Sequence, residues 1–214
     1  MVRWKRVAWH PDPVMTGRDV RTALVLMAWI AAVLVTDATV LSQRPELARQ
    51  LVLGASTWLV LALALRREAS LVRAQTMLVV VLATAVEYTF SPLLQAYTYR
   101  IGTVPFFVPP GHGLVYLAAL LLGRSAWMRM HARPVITAVV LCGGGWAFAG
   151  AAGLLGHGRG DVLGLFWFLC LLAFLRWGPN RLLYCGAFIV VSYLEVAGTS
   201  LGTWAWAGDR KSVV

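Results

Sequence analysis

The third apolar block of this chain reads Val72-Arg-Ala-Gln-Thr-Met-Leu-Val-Val-Val-Leu-Ala-Thr-Ala-Val-Glu-Tyr-Thr-Phe-Ser91. A helix needs ~20 residues to cross the hydrocarbon core of a bilayer, and this block has that length. It is mostly apolar and does not alternate between polar and apolar residues, as the strands of an outer-membrane barrel do. It therefore predicts a membrane-spanning helix.

Seven apolar blocks of this kind can be drawn along the 214 residues. The composition agrees with them, because 59% of the residues are hydrophobic and 13% are charged, against roughly 45–50% and about 25% in a soluble domain. That excludes a soluble enzyme and predicts an all-α, polytopic membrane bundle of about seven transmembrane helices. The blocks cover about 22–41, 46–65, 72–91, 111–127, 134–155, 161–176 and 181–200, and the fourth and sixth are the shortest.

The basic residues predict how the bundle is oriented. Assigning them to alternate sides of the seven spans puts 13 of the 19 Lys and Arg residues on the side of the N-terminus and 6 on the other. By the positive-inside rule, the N-terminus is then cytoplasmic and the C-terminus external. We therefore interpret the net charge of +10 as a topology signal and expect no nucleic-acid partner. The expected location is a bacterial-type cytoplasmic (inner) membrane.

The chain divides into one bundle and two flanking segments. Residues 1–21 mix Trp with Lys and Arg, which predicts an interfacial segment that is retained and not cleaved as a signal peptide. Residues 22–206 form the bundle, and 207–214 form an external tail. Within the bundle, residues 92–110 form an external loop that is apolar and aromatic, and its four prolines forbid a regular helix along it. The loop is either a lid or re-entrant loop that folds back over the bundle, or an ordinary aromatic belt at the outer interface.

Ionisable residues inside spans are costly and indicate a functional site. Asp37, Glu87 and Glu195 lie near the outward ends of the first, third and seventh spans. His112 opens the fourth span from the same side. We therefore predict these four as the catalytic residues of a site at the external end of the bundle.

Two chemistries suit such a group. A carboxyl group in an apolar cavity can hold a proton near neutral pH and act as a general acid, with the other glutamate or His112 as base. A histidine with three carboxylates could instead bind a divalent metal, but no HxxxH or HExxH pair fixes two ligands on one helix face. We therefore expect no metal, and the sequence identifies no cofactor. The remaining interpretation is that the acids are hydrated near the headgroups or hold the helices together.

Two stretches of the chain share one layout: Arg66…Glu87…Tyr97-Thr-Tyr99 and Arg176…Glu195…Trp204-Ala-Trp206. The Arg-to-Glu separations are 21 and 19 residues, and the glutamate precedes the first aromatic residue by 10 and 9. Because both copies point the same way, a duplication would be parallel. The alternative is convergence, since Trp and Tyr collect at membrane interfaces anyway.

Aromatic residues beside the two glutamates are the predicted substrate-binding residues. In each copy an aromatic-x-aromatic segment follows the glutamate at the outer interface, where it can line the entrance of a cavity. The full set is Tyr88, Tyr97, Tyr99, Trp204 and Trp206.

Residues 87–115 resemble the membrane carotenoid hydratases of the bisanhydrobacterioruberin hydratase type. The resemblance is carried by Glu87-Tyr-Thr-Phe90 and by Tyr97-Thr-Tyr-Arg-Ile-Gly-Thr-Val-Pro-Phe-Phe-Val-Pro109. In that family an outward glutamate is followed by a Gly-rich turn, a Tyr-x-Tyr and a Val-Pro segment that opens the next helix. This chain has Phe90-Ser-Pro92 in place of the Gly-rich turn, and Pro110-Gly-His-Gly113 where the family has an apolar-Trp start. The resemblance implies acid-catalysed addition of water to the end of a polyene, with Glu87 as the matched residue.

The sequence therefore predicts an integral-membrane enzyme that acts on a lipid or isoprenoid by acid/base chemistry. Its expected partners are membrane lipids and a hydrophobic small-molecule substrate. One alternative is a non-catalytic subunit of a larger membrane complex, with the 92–110 loop and the basic N-terminus as docking surfaces. Another is a small proton-coupled transporter, although Asp37, Glu87 and Glu195 all lie on one side and do not form a full pathway.

Overall fold

The computed structural model describes residues 18–40, 46–154 and 161–207. Each of the seven apolar blocks overlaps one long helix, and a short helix that was not predicted precedes the fifth block. The helices are α1 Arg18–Val35, α2 Glu46–Leu65, α3 Ser70–Tyr88, α4 Val108–Arg124, α5 Ala126–Met130, α6 Ala132–Ala151, α7 Val162–Trp177 and α8 Arg181–Ser200. Two short strands complete the fold, β1 Tyr97–Tyr99 and β2 Trp204–Trp206. The all-α prediction is confirmed for the described part of the chain.

Among the described residues, five helical segments are long and apolar enough to cross a membrane, which fits a multi-pass membrane protein. They are Asp19–Thr39, Glu46–Leu65, Ser70–Leu93, Ala132–Ala151 and Arg181–Ser200. The helices α4 and α7 have 17 and 16 residues, fewer than the ~20 that a lone spanning helix needs. The seven-span topology and the orientation of the termini therefore stay predictions.

Two of the long helices end in a single π-helical turn. Thr36–Val40 follows α1 and contains Asp37, while Thr89–Leu93 follows α3 directly after Glu87 and Tyr88. Pro92 lies in the second turn and cannot donate a backbone hydrogen bond, so regular helix does not continue beyond it. Such turns occur often at functional sites.

The helix α4 lies at the centre of the bundle. It packs against α1, α2, α3 and α8, and Leu114, Leu117 and Leu121 along it are at most 2% exposed. Large apolar side chains on the other helices, such as Leu63, Val81 and Trp146, are instead exposed, as expected of surfaces that face lipid. Because its neighbours enclose α4, its short length does not leave its ends in lipid.

Glycines set the register between α4 and α8. A Cβ atom on Gly186 would lie 2.6 Å from the Ala119 carbonyl oxygen, and one on Gly123 would lie 2.7 Å from the Leu183 Cα atom. Small residues allow this close backbone approach. The two helices run antiparallel, so this register brings the start of α4, with His112, to the level of Glu195 on α8.

The strands close one end of the bundle. β1 follows α3, β2 follows α8, and they pair antiparallel with Tyr97 opposite Trp206 and Tyr99 opposite Trp204. We call this the Glu87 end. At the opposite end, which we call the Arg124 end, the Arg124 guanidinium binds Glu68 through two hydrogen bonds of 2.8 Å and also pairs with Asp19.

The loop between α3 and α4 is fastened to the Glu87 end. Arg100 binds the Asp37 carboxylate and donates to the Asp37 carbonyl oxygen at 3.0 Å, and the Phe106 backbone N–H donates to Gln50 Oε1 at 2.9 Å. With the β1–β2 pairing, these contacts make the 92–110 segment a fixed cover over the bundle. Residues 1–17 of the predicted interfacial segment and 208–214 of the predicted tail lie outside the described residues.

Candidate functional site

The Glu87 end encloses a cavity of about 250 Å³. Its walls come from α1, α2, α3, α4, α8 and both strands, and most of its surface is apolar. Pockets that enclose a drug-sized ligand measure roughly 300–1,000 Å³, so this one suits the end of a long molecule. Its ionisable and hydroxyl-bearing side chains are Thr57, Glu87, Tyr97, Tyr99, His112 and Glu195.

Glu87 stands in the last turn of α3 and is 8% exposed. Its Oε2 atom accepts hydrogen bonds from the hydroxyls of Tyr97 at 2.5 Å and Tyr99 at 2.7 Å. Its Oε1 atom lies 2.8 Å from His112 Nε2. An ionised carboxylate only accepts hydrogen bonds, so these three partners suit Glu87 as a carboxylate.

Tyr97 and Tyr99 remain hydrogen-bond donors at any ordinary pH. Burial raises the pKa of both phenols above the usual 10.0, and the negative charge of Glu87 and the hydrogen bonds to it raise the pKa further. Both hydroxyls therefore keep their protons, and the two tyrosines hold the Glu87 carboxylate in place.

His112 lies in the first turn of α4, after two prolines that suit the start of a helix. With Nε2–H donating to Glu87, Nδ1 is the accepting nitrogen of the neutral imidazole. Nδ1 has no hydrogen-bond partner in the part of the chain that the structure describes. Glu87 and His112 thus form a carboxylate–imidazole pair with one ring nitrogen available to a ligand.

Glu195 binds its partners differently from Glu87. Its Oε1 atom accepts from the indole N–H groups of Trp204 at 3.2 Å and Trp206 at 2.6 Å. The described residues give Oε2 no hydrogen-bond partner. A protonated carboxyl group can accept on one oxygen and carry its proton on the other, so this arrangement leaves Glu195 able to donate a proton.

The two copies noticed in the sequence therefore repeat one set of hydrogen bonds. In each, both rings of the aromatic-x-aromatic segment donate to the preceding glutamate, and we call each such set a carboxylate–aromatic module. The β1–β2 pairing sets the modules side by side, with 5.3 Å between the ring centroids of Tyr97 and Trp206. Alternate residues of a strand share a face, so all four rings lie on one side of the strand pair.

Asp37 and Tyr88 are the two predicted site residues that do not line the cavity. Asp37 is 2% exposed and pairs with Arg49, at 3.0 Å between Nε and Oδ1, and with Arg100. It holds the loop to α1 and α2. Tyr88 is 47% exposed and lies on the outer surface of α3.

Several residues that shape the site were missed at the sequence level. Trp29 on α1 lines the cavity. Gly198 leaves room for the Trp204 ring, because a Cβ atom there would overlap it. The ion pairs of Arg49 and Arg100 with Asp37 were also missed, because the two arginines lie in other parts of the sequence.

Among the described residues, no group of three or more His, Cys, Asp or Glu side chains could hold a metal ion. Comparison of the chain with protein-family models, curated proteins and solved structures finds no match.

Proposed function

We propose that this protein is an integral-membrane enzyme that adds water to the terminal double bond of an isoprenoid lipid. The observation that carries the proposal is that Glu87, His112 and Glu195 reach one apolar cavity from three helices, with hydrogen bonds that suit the two carboxyl groups to different roles. The resemblance of residues 87–115 to carotenoid hydratases supports water addition as the reaction. The proposed location of the enzyme is a cytoplasmic-type membrane.

In this mechanism Glu195 is the general acid. The proton on its Oε2 atom moves to one carbon of the double bond, whose π electrons form the new C–H bond and leave a carbocation on the neighbouring carbon. A water molecule forms a C–O bond to that carbon. The proton that the water loses goes to Nδ1 of His112, which Glu87 orients, and it returns to Glu195 through solvent.

The substrate enters from the side of the bundle. Val191 on α8 lines the cavity and is also 51% exposed on the helix surface, so the cavity reaches the face of α8. A chain end fits the 250 Å³ cavity, and the rest of the isoprenoid stays in the lipid. A long hydrocarbon thus reaches the acid without leaving the membrane.

The test is an activity measurement on purified protein in mild detergent, with acyclic isoprenoids that carry a terminal trisubstituted double bond. Mass spectrometry should find a product heavier by one water molecule. Glu195→Gln should lower the rate by about 10²–10⁴-fold, as removal of a general acid does. The matched control is Glu46→Gln, on the exposed first residue of α2, which should leave the rate unchanged. Full activity of the Glu195→Gln variant would exclude this residue as the acid.

A further inference from the structure

Four aromatic rings at the Glu87 end form a box. Tyr97, Tyr99, Trp204 and Trp206 all line the cavity, and we call them the aromatic box. Neighbouring rings stand edge to face: Tyr97 and Tyr99 are 5.9 Å apart at 78°, and Tyr99 and Trp204 are 6.1 Å apart at 70°. In this geometry the rings do not stack face to face on one another.

The box is electron-rich for two reasons. The face of an aromatic ring carries partial negative charge, whereas its edge is positive. Each of the four rings also donates its O–H or N–H to a carboxyl group, that of Glu87 or Glu195, and that contact pushes electron density into the ring. The Glu87 carboxylate behind the rings adds its own negative charge, and Glu195 adds a second once it has lost its proton.

The cavity has little positive charge to balance these groups. No Lys or Arg is among its described lining residues, and its one basic side chain, His112, is hydrogen-bonded to Glu87. Asp37, the neighbouring acid that binds two arginines, does not line it. The cavity therefore favours a positively charged ligand over an anion.

The residues that line the cavity favour one chemical class of cation. Small metal ions require several oxygen ligands, and Mg²⁺ keeps much of its water shell. Aromatic faces instead bind weakly hydrated organic cations, such as quaternary ammonium groups, by cation–π attraction. The apolar side chains that complete the cavity, including Ile30, Val33 and Leu194, suit the alkyl groups of such a cation.

We infer that this cavity is a binding site for an apolar organic cation, formed by the aromatic box together with Glu87 and Glu195. The identity of the natural cation rests on the proposed function: it is the carbocation that forms when the double bond is protonated. The box then stabilises the intermediate while water adds to it.

The experiment compares two soluble probes of similar size, butyltrimethylammonium and the neutral 3,3-dimethylbutan-1-ol. Isothermal titration calorimetry on the purified protein in nonionic detergent should give at least about tenfold tighter binding of the cation, as desolvated cation–π contacts do. Equal binding of the two probes by the wild-type protein would overturn the inference. That comparison needs no variant.

A variant pair locates the site. Trp206→Leu should weaken ammonium binding about tenfold, because it removes one of the four aromatic rings and one hydrogen-bond donor to Glu195. The matched control is Trp146→Leu on α6, which is 67% exposed and outside the cavity lining, and it should bind the ammonium like the wild type. Wild-type affinity in a folded Trp206→Leu variant would also overturn the inference.

These results separate the two proposals. Selective ammonium binding without any alcohol product would refute the proposed reaction and keep the cation site. Alcohol formation with equal binding of both probes would refute the cation site and keep the reaction.

Discussion

At the scale of single residues, the two glutamates differ in how their oxygens are used. Glu87 binds partners with both oxygens, whereas Glu195 binds both of its indole donors with one oxygen. The sequence suggested either glutamate as the acid. We assign the acid to Glu195 because its second oxygen is available to carry a proton.

The tyrosines give a prediction about pH. Tyr97 and Tyr99 have a pKa above 10.0 in the folded protein, because of burial and Glu87, so the unfolded chain loses these protons first as the pH rises. The stability they contribute is therefore fully present below pH ~10 and declines above it. Ultraviolet titration of tyrosine should show a late component that Tyr99→Phe reduces. Tyr88→Phe, on the exposed surface of α3, is the control and should leave that component intact.

Sequence reasoning found the buried carboxylates because a charge inside an apolar span is costly and stands out. It could not find their partners. Asp37 is paired by Arg49 and Arg100, which come from other elements, so the pairing depends on how the loop folds back. Tyr88 follows Glu87 directly, and one residue along a helix turns the side chain by about 100°, so it leaves the cavity face.

At the scale of elements, the β1–β2 pair joins the two carboxylate–aromatic modules. The strands have three residues each and lie more than 100 residues apart in the chain, so no hairpin turn could signal their pairing. Gly102 after β1 and Gly202 before β2 adopt φ of 76° and 65°, a region that glycine enters easily. At these glycines the chain changes direction next to each strand at the end of the bundle.

Gly198 gives a prediction about β2. Gly198→Ala should displace the Trp204 ring, weaken its hydrogen bond to Glu195 and destabilise the protein by about 1–3 kcal/mol, the cost of overpacking. Thermal unfolding followed by tryptophan fluorescence measures this. Gly145→Ala on α6 is the matched control, because a Cβ atom there meets nothing within 4 Å. Equal stability of the two variants would contradict the packing of Trp204 on Gly198.

The loop of residues 92–110 gives a second prediction at this scale. Asp37→Asn should leave Arg49, which is 8% exposed, without its counter-charge and cost about 3–5 kcal/mol. It should also free Arg100 and make the loop a faster target for proteases. Asp161→Asn is the control, since Asn retains the oxygen that caps α7. Unchanged proteolysis of the Asp37→Asn variant would show that the ion pairs do not fasten the loop.

At the scale of the whole molecule, hydropathy predicted the helices well because lipid imposes one requirement on every spanning segment, internally satisfied backbone hydrogen bonds. It predicted neither the central place of α4 nor its contacts with α8. Those depend on the close approach at Gly123 and Gly186, whose importance shows only when both helices are in place.

The arrangement of the modules also bears on the origin of the chain. A two-fold axis along the bundle would relate two copies that point the same way. Such an axis would place the equivalent strands of the two copies side by side and antiparallel, as β1 and β2 are. This pairing is what a parallel duplication predicts; the duplication itself stays a prediction, with convergence of aromatic residues at the membrane interface as the alternative. The two modules differ in their partners, because Glu87 has His112 as an additional partner and the donors to Glu195 are two indoles.

Isotope incorporation tests the central claim most directly. The enzyme acts on an acyclic isoprenoid in deuterated water that also carries ¹⁸O, and the product is analysed by mass spectrometry. Acid-catalysed water addition predicts one deuterium bound to carbon and one ¹⁸O on the neighbouring carbon, both lost in Glu195→Gln. Deuterium without ¹⁸O would mean isomerisation, and neither label would mean no protonation of the double bond; either result would contradict the account.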